Sequence, residues 1–205
     1  MTEATKTCVE YRPVVLHTSP ALTTSEEQFF EFCQPDKDWR IERTAEGDLE
    51  VMSPTGGETC NRNLKIALQL GTWTEHDGTV VAFDSSTGFR LPNSATRSPD
   101  ATWVRHERLA DLTAKQKQKF LPLCPDFAVE LRSPGDALAI LQDEMREHIE
   151  NGARLGWIMD PPERRVYGYR PGVEAKRLDE SFSLSGEPEL PGFALDLRKL
   201  WEPGF

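Results

Sequence analysis

A mixed α/β domain is predicted by three features of the sequence. Residues 126 to 159 read as a β-α-β unit: the run Phe127-Ala128-Val129-Glu130-Leu131, a helix-period segment, and the near-continuous apolar strand Leu155 to Met159. Such a unit calls for a parallel, buried strand pair. Upstream, short alternating runs separated by turn residues read as antiparallel strands. The chain has 205 residues with 38% hydrophobic content, enough for one domain with a proper core, and shows no internal repeat or low-complexity segment.

Taken in order, residues 1–21 form an N-terminal arm, within which Tyr11 to Leu16 is a candidate edge strand, and residues 22–205 form the domain. Thr24 and Glu27 have the spacing of a capping box for a helix that ends at Pro35, with Phe29, Phe32 and Cys33 on one face. The alternating runs 39–43 and 48–52 predict a hairpin around Ala45-Glu46-Gly47. After the loop Ser53-Pro54-Thr55-Gly56-Gly57, a long helix is expected from Glu58 to Glu75, with Leu64, Ala67, Leu68 and Gly71 at helical spacing. The glycine pair is a turn rather than a phosphate loop, because no Gly-Lys-Ser/Thr follows it. Runs 79–83 and 87–91 lead into the strand that begins at Asp100, and the three suggest a meander. Lys115, Lys117 and Lys119 fit the solvated face of a short helix. Ser133-Pro134-Gly135-Asp136 reads as a helix start and Asn151-Gly152 as its stop, with Leu138, Leu141, Met145 and Ile149 as the apolar stripe. Trp39, Trp73, Trp103 and Trp157 lie in apolar patterns and read as core.

A net charge of −10 argues against bulk electrostatic gripping of nucleic acid, so any DNA contact is expected to be local or metal-mediated. The four cysteines form no C-x-x-C pair, which argues against a zinc knuckle or a disulfide scaffold and fits a reducing cytoplasm. Nowhere does an apolar run reach membrane-spanning length. The chemical centre is the pair Asp100 and Glu130, each in a β-prone run, with Glu130 and Arg132 on one strand face and Phe127, Val129 and Leu131 on the other. Buried carboxylates are costly unless paired or bound to a cation. Oxygen ligands of this kind suit Mg²⁺, or Mn²⁺, in phosphodiester hydrolysis. An ion pair of Glu130 with Arg132, with Asp100 capping a turn, fits the same spacing.

Four segments in order resemble the Uma-type "putative restriction endonuclease" family of the PD-(D/E)XK nuclease superfamily. They are Thr87-Gly88-Phe89-Arg90-Leu91-Pro92, Ser98-Pro99-Asp100-Ala101, residues 124–134 (CPDFAVELRSP) and residues 152–161 (GARLGWIMDP), and the resemblance spans roughly residues 22 to 200. It implies a restriction-endonuclease-like fold, a central mixed sheet flanked by helices, and a divergent metal-dependent DNA endonuclease, with a homodimer suited to cutting both strands. Carried over, Asp100 and Glu130 become the metal-binding acids, the Leu131 backbone carbonyl a further ligand, and Glu42 and Glu58 accessory acids. The family's usual active-site lysine is here Glu144, and its usual tyrosine is His148. Three readings follow: Glu144 as an added metal ligand or general base, Arg132 as the source of the missing positive charge, or a catalytically degenerate fold kept for binding nucleic acid or protein. A plain i, i+4 surface pair of Glu144 and His148 is the alternative on that helix.

Overall fold

The computed structural model describes residues 13–19, 21–35 and 39–204. Strand β1 (Val14–Leu16) lies at the edge of a sheet, and Tyr11 and Arg12, read as its start, fall outside the described residues. Helix α1 (Glu26–Cys33) is capped by Ser25, whose hydroxyl accepts from the Gln28 N–H while the Gln28 side chain accepts from the Ser25 N–H. The capping box therefore forms one residue later than expected. Gln serves at that third position as well as Glu, and Glu27 instead meets Lys119. Phe29 faces inward against Phe120, whereas Phe32 is exposed.

Strands β2 (Arg40–Arg43) and β3 (Leu49–Met52) form the expected hairpin, with Glu42 directly opposite Glu50. Trp39, just before it, is 51% exposed and so is no part of the core. Helix α2 (Gly57–Asp77) buries Thr59, Arg62, Ile66, Leu70 and Thr74 and leaves Leu64 and Leu68 in solvent. The inward stripe is thus not the Leu64, Ala67, Leu68 and Gly71 stripe. A buried arginine is tolerated there because Arg62 Nε donates to the Leu200 carbonyl at 2.7 Å and its NH1 meets Glu58 at 3.0 Å.

The expected meander does not form. Strand β4 (Val80–Asp84) pairs with β7 (Ala101–Arg105), while β5 (Phe89–Arg90) and β6 (Thr96–Arg97) pair with each other in the first sheet. The backbone at 88–90 is taken by Leu121: the Leu121 N–H donates to the Gly88 carbonyl and the Arg90 N–H to the Leu121 carbonyl. Short helices α3 (His106–Ala110) and α4 (Ala114–Lys117) lead to β8 (Phe127–Leu131), α5 (Leu138–Glu150) and β9 (Leu155–Asp160). This is the predicted β-α-β unit, with β8 and β9 parallel. Helix α5 begins at Leu138 because Ser133 to Asp136 closes as a turn, the Ser133 N–H donating to Asp136 Oδ2 at 2.7 Å. It ends as expected at Asn151-Gly152, where φ of Gly152 is 114°.

Strands β10 (Arg165–Arg170) and β11 (Val173–Asp179) extend the second sheet; β12 (Ser183–Ser185), β13 (Ala194–Asp196) and α6 (Arg198–Trp201) follow. Among the described residues the sheets run β1-β3-β2-β6-β5, β11-β10-β9-β8-β7-β4 and β12-β13, the second mixed through its β8–β9 pair. Strand alternation divides β8 between two cores: Phe127, Val129 and Leu131 pack with Ile66 and Leu70 of α2, and Ala128 packs with Met145 of α5. Glu130 shares the α5 side. The tail closes the first of these cores through Leu190, Phe193, Leu195, Leu197, Leu200 and Trp201. Among the described residues no helix is long and apolar enough to cross a membrane.

The approach of α5 to the sheet depends on Gly156, where a Cβ would overlap the Met145 thioether. Gly156→Ala is therefore expected to destabilise the fold by about 1–3 kcal/mol through overpacking, read as a lowered midpoint in urea. An unchanged midpoint would mean that α5 can lift at no cost.

Candidate functional site

Asp100 lies where the chain passes from β6 in one sheet to β7 in the other. Pro99, with its fixed φ and no N–H, stands just before it. The Leu131 N–H donates to Asp100 Oδ2 at 2.8 Å, Asn63 Nδ2 of α2 donates to Oδ1 at 2.9 Å, and Arg40 of β2 stands 3.6 Å from Oδ1. Burial nonetheless holds its carboxyl above the usual range, with Arg40, the Leu131 N–H and Asn63 pulling the other way.

Glu130 is 4% exposed and makes no hydrogen bond or ion pair among the described residues. Its carboxyl is pushed well above the usual range, first by burial and then by the charges of Asp100 and Glu144, with Arg40 opposing them. The two predicted acids are thus brought together across the β7–β8 pair.

A second group of acids adjoins them. Glu42 Oε1 accepts from the Ser98 N–H at 2.9 Å and lies 3.4 Å from Arg40 Nε, while Oε2 is 3.3 Å from Arg97 NH1. Arg97 also contacts Glu50, and its Nε donates to Glu147 Oε2 at 2.6 Å. One oxygen from each of Glu42, Glu50 and Glu144 lies within 4.8 Å of the other two. Burial, followed by the charge of Glu42, raises the Glu144 carboxyl to about 8, against the pull of Arg97 and Arg40. His148, one turn further along α5, is buried, and burial lowers its ring to about 4, so it is neutral near pH 7. Glu144 and His148 therefore belong to the interior of the site and are not a surface pair.

Two candidates stand apart from this group. Arg132 NH1 binds both Asp160 oxygens at 3.2 Å, and its Nε donates to the Asp136 carbonyl at 2.9 Å. Glu58 pairs with Arg62. Arg40 and Arg97 supply the positive charge beside the acids, and sequence reasoning passed over both, along with Glu50 and Asn63. A signal for Glu50 existed: the predicted hairpin register sets Glu42 against Glu50, and like charges directly opposite are unfavourable without a cation between them.

The arrangement is a buried to half-buried set of hard oxygen donors, two of which, Glu130 and Glu144, make no hydrogen bond or ion pair among the described residues. Such a set fits a divalent cation.

A family model described as "Putative restriction endonuclease", Uma2, matches residues 26–198. Among solved structures, the chain is similar to a crystal structure titled as a putative nuclease belonging to DUF820 from Anabaena variabilis ATCC 29413. The TM-score is 0.71 at 17% identity, covering 87% of this chain and 98% of that one. That likeness is one of fold. Among curated proteins nothing matches the sequence. With the family model spanning most of the domain, from α1 to the start of α6, this chain belongs to the Uma2 family of restriction-endonuclease-like proteins.

Proposed function

We propose that this chain is a metal-dependent DNA endonuclease in which Asp100, Glu130 and the Leu131 backbone carbonyl hold Mg²⁺ or Mn²⁺. The buried carboxylate of Glu130, without a partner among the described residues, carries this reading, because a buried charge left unpaired costs several kcal/mol on the order-of-magnitude scale of ion desolvation. Family membership supports nucleic acid as the substrate.

A divalent cation, when bound, supplies Lewis acidity toward a phosphate oxygen and toward water. The chain's own residues do the rest. Asn63 and the Leu131 N–H fix the Asp100 carboxylate, leaving its orientation independent of the ion. Arg40 offsets the charge of both Glu42 and Asp100. Glu144, whose carboxyl is raised to about 8 in the ion-free chain, stands at the lysine position either as a ligand to a cation or, with no cation on it, as a general base. Arg132, tied to Asp160, acts by holding the end of β8 and not on the reacting atoms.

The expected result is relaxation of supercoiled plasmid by the wild-type chain in Mg²⁺ or Mn²⁺, abolished by chelator and restored when the ion returns. Plasmid left intact in both ions, with DNA still bound, would overturn this reading. The outcome would favour a fold kept for binding, a reading supported by the negative charge that Glu144 sets where phosphate must approach.

A further inference from the structure

We propose that Glu42, Glu50 and Glu144 hold a divalent cation of their own, beside the one assigned to Asp100 and Glu130. Ligating oxygens within 4.8 Å of one another suit a single hard cation that takes oxygen at about 2.0–2.6 Å. An acidic cluster alone is common, and two further observations point to a ligand. Glu144 makes no hydrogen bond or ion pair among the described residues, so one corner of the triad is unmatched. Two buried polar groups beside the triad also lack partners among the described residues: the Glu130 carboxylate, on the α5 side of β8, which feels the charges of Glu144 and Glu42, and His148 Nδ1, one turn of α5 from Glu144.

Charge balance leads to the same count. Arg97 already serves Glu42, Glu50 and Glu147, but no ion pair joins it to Glu144 or Glu130. With Asp100 included, six carboxylates face the two guanidinium groups of Arg40 and Arg97; with every one of them ionised, as ligation requires, four formal negative charges are left. One divalent ion removes half of that excess, and a second removes the rest. A cation in the Glu42, Glu50 and Glu144 triad also places positive charge on the α5 side of the pocket, where this chain presents a carboxylate. The inference deepens the nuclease reading and rests on it for the purpose of the pocket; the number of ions is a separate matter.

The test is a titration of the chelator-treated full chain with Mn²⁺, counting bound ions by loss of the free-ion paramagnetic resonance signal and measuring affinity by calorimetry. Wild type is expected to bind two ions per chain. Glu144→Gln and Glu50→Gln are each expected to keep one and to weaken the other by about tenfold or more. Asp100→Asn is expected to lose the opposite one. Glu144 has no partner to lose, so Glu144→Gln keeps the fold, and Glu50→Gln gives an independent check. A count of one that survives Glu144→Gln but disappears in Asp100→Asn would overturn the second ion and leave the nuclease reading intact. A count of two unchanged in both glutamine variants would also overturn it, with Arg97 then the triad's sole cation. Two ions bound without cleavage would sustain this inference while the nuclease reading fails.

Discussion

Asp100→Asn is expected to reduce metal-dependent DNA cleavage by about a thousandfold, or ~4 kcal/mol of transition-state stabilisation, with the fold kept. The amide retains an oxygen for the Leu131 N–H, so the β7–β8 junction keeps its hydrogen bond. It loses the negative charge that a cation needs. Its NH₂ would also face Asn63 and Arg40; Asn63 can turn its unpaired Oδ1 toward it, but Arg40 remains a donor, which costs about 1 kcal/mol. Relief of the repulsion with Glu130 offsets part of that cost. Cleavage rates for wild type and variant, with thermal melts of both in chelator, separate the effects. Equal rates would remove Asp100 from the reaction.

The second large effect concerns stability against pH in the ion-free protein. The Glu144 carboxyl rises from 4.5 to about 8 on folding, so between those values the folded state holds a proton that the unfolded state releases. Its favourable contribution is complete below pH 4.5 and is lost as pH rises through about 8. Glu130 and Asp100, also raised, act in the same direction. His148 is lowered from 6.5 to about 4, so its contribution is present above pH 6.5 and is lost as pH falls toward 4. Above pH 6.5 the acids act unopposed. Stability in chelator should therefore fall by about 2 kcal/mol for Glu144 alone between pH 6.5 and 8. Glu144→Gln should recover that amount, raising the midpoint at pH 8 by about 4–8 °C. Parallel melting curves for wild type and Glu144→Gln across this range would show that Glu144 does not titrate there.

Sequence patterns showed the β-α-β unit because a five-residue apolar strand, an amphipathic helix and a second apolar strand admit few other arrangements. Glu130 lies on the first strand of that unit and Glu144 on its helix, and Asp100 stands outside it, just before β7, which lies beside β8. Sequence patterns failed where a polar residue was satisfied at long range. Arg62, buried through the Leu200 carbonyl 138 positions away, reversed the reading of α2. The meander failed for a similar reason, because Leu121 claims the backbone of Gly88 and Arg90. Arg40 and Arg97 were invisible as site residues because each gains meaning only from carboxylates delivered by other elements. An arginine in an alternating strand reads as solvent-facing until its partner is known.

The Glu42 and Glu50 hairpin has one more consequence. No residue before Ile66 belongs to the three clusters of buried apolar side chains among the described residues. The hairpin that delivers two of the acids buries one apolar side chain, Leu49, and is further tied to the domain by polar contacts: the Ser98 N–H to Glu42, Arg97 to both glutamates, and Arg43 of β2 to Glu26. Attachment by polar ties responds to the ions in solution far more than attachment by apolar packing does. With the proposed cation on Glu42 and Glu50, cation activity would become a thermodynamic handle on the undocking of β2 and β3. An ion at a hundred times its dissociation constant would hold the hairpin in place by about 2.7 kcal/mol more than in chelator. The same carboxylates would then work as a latch, and the ligands would assemble as the ion arrives.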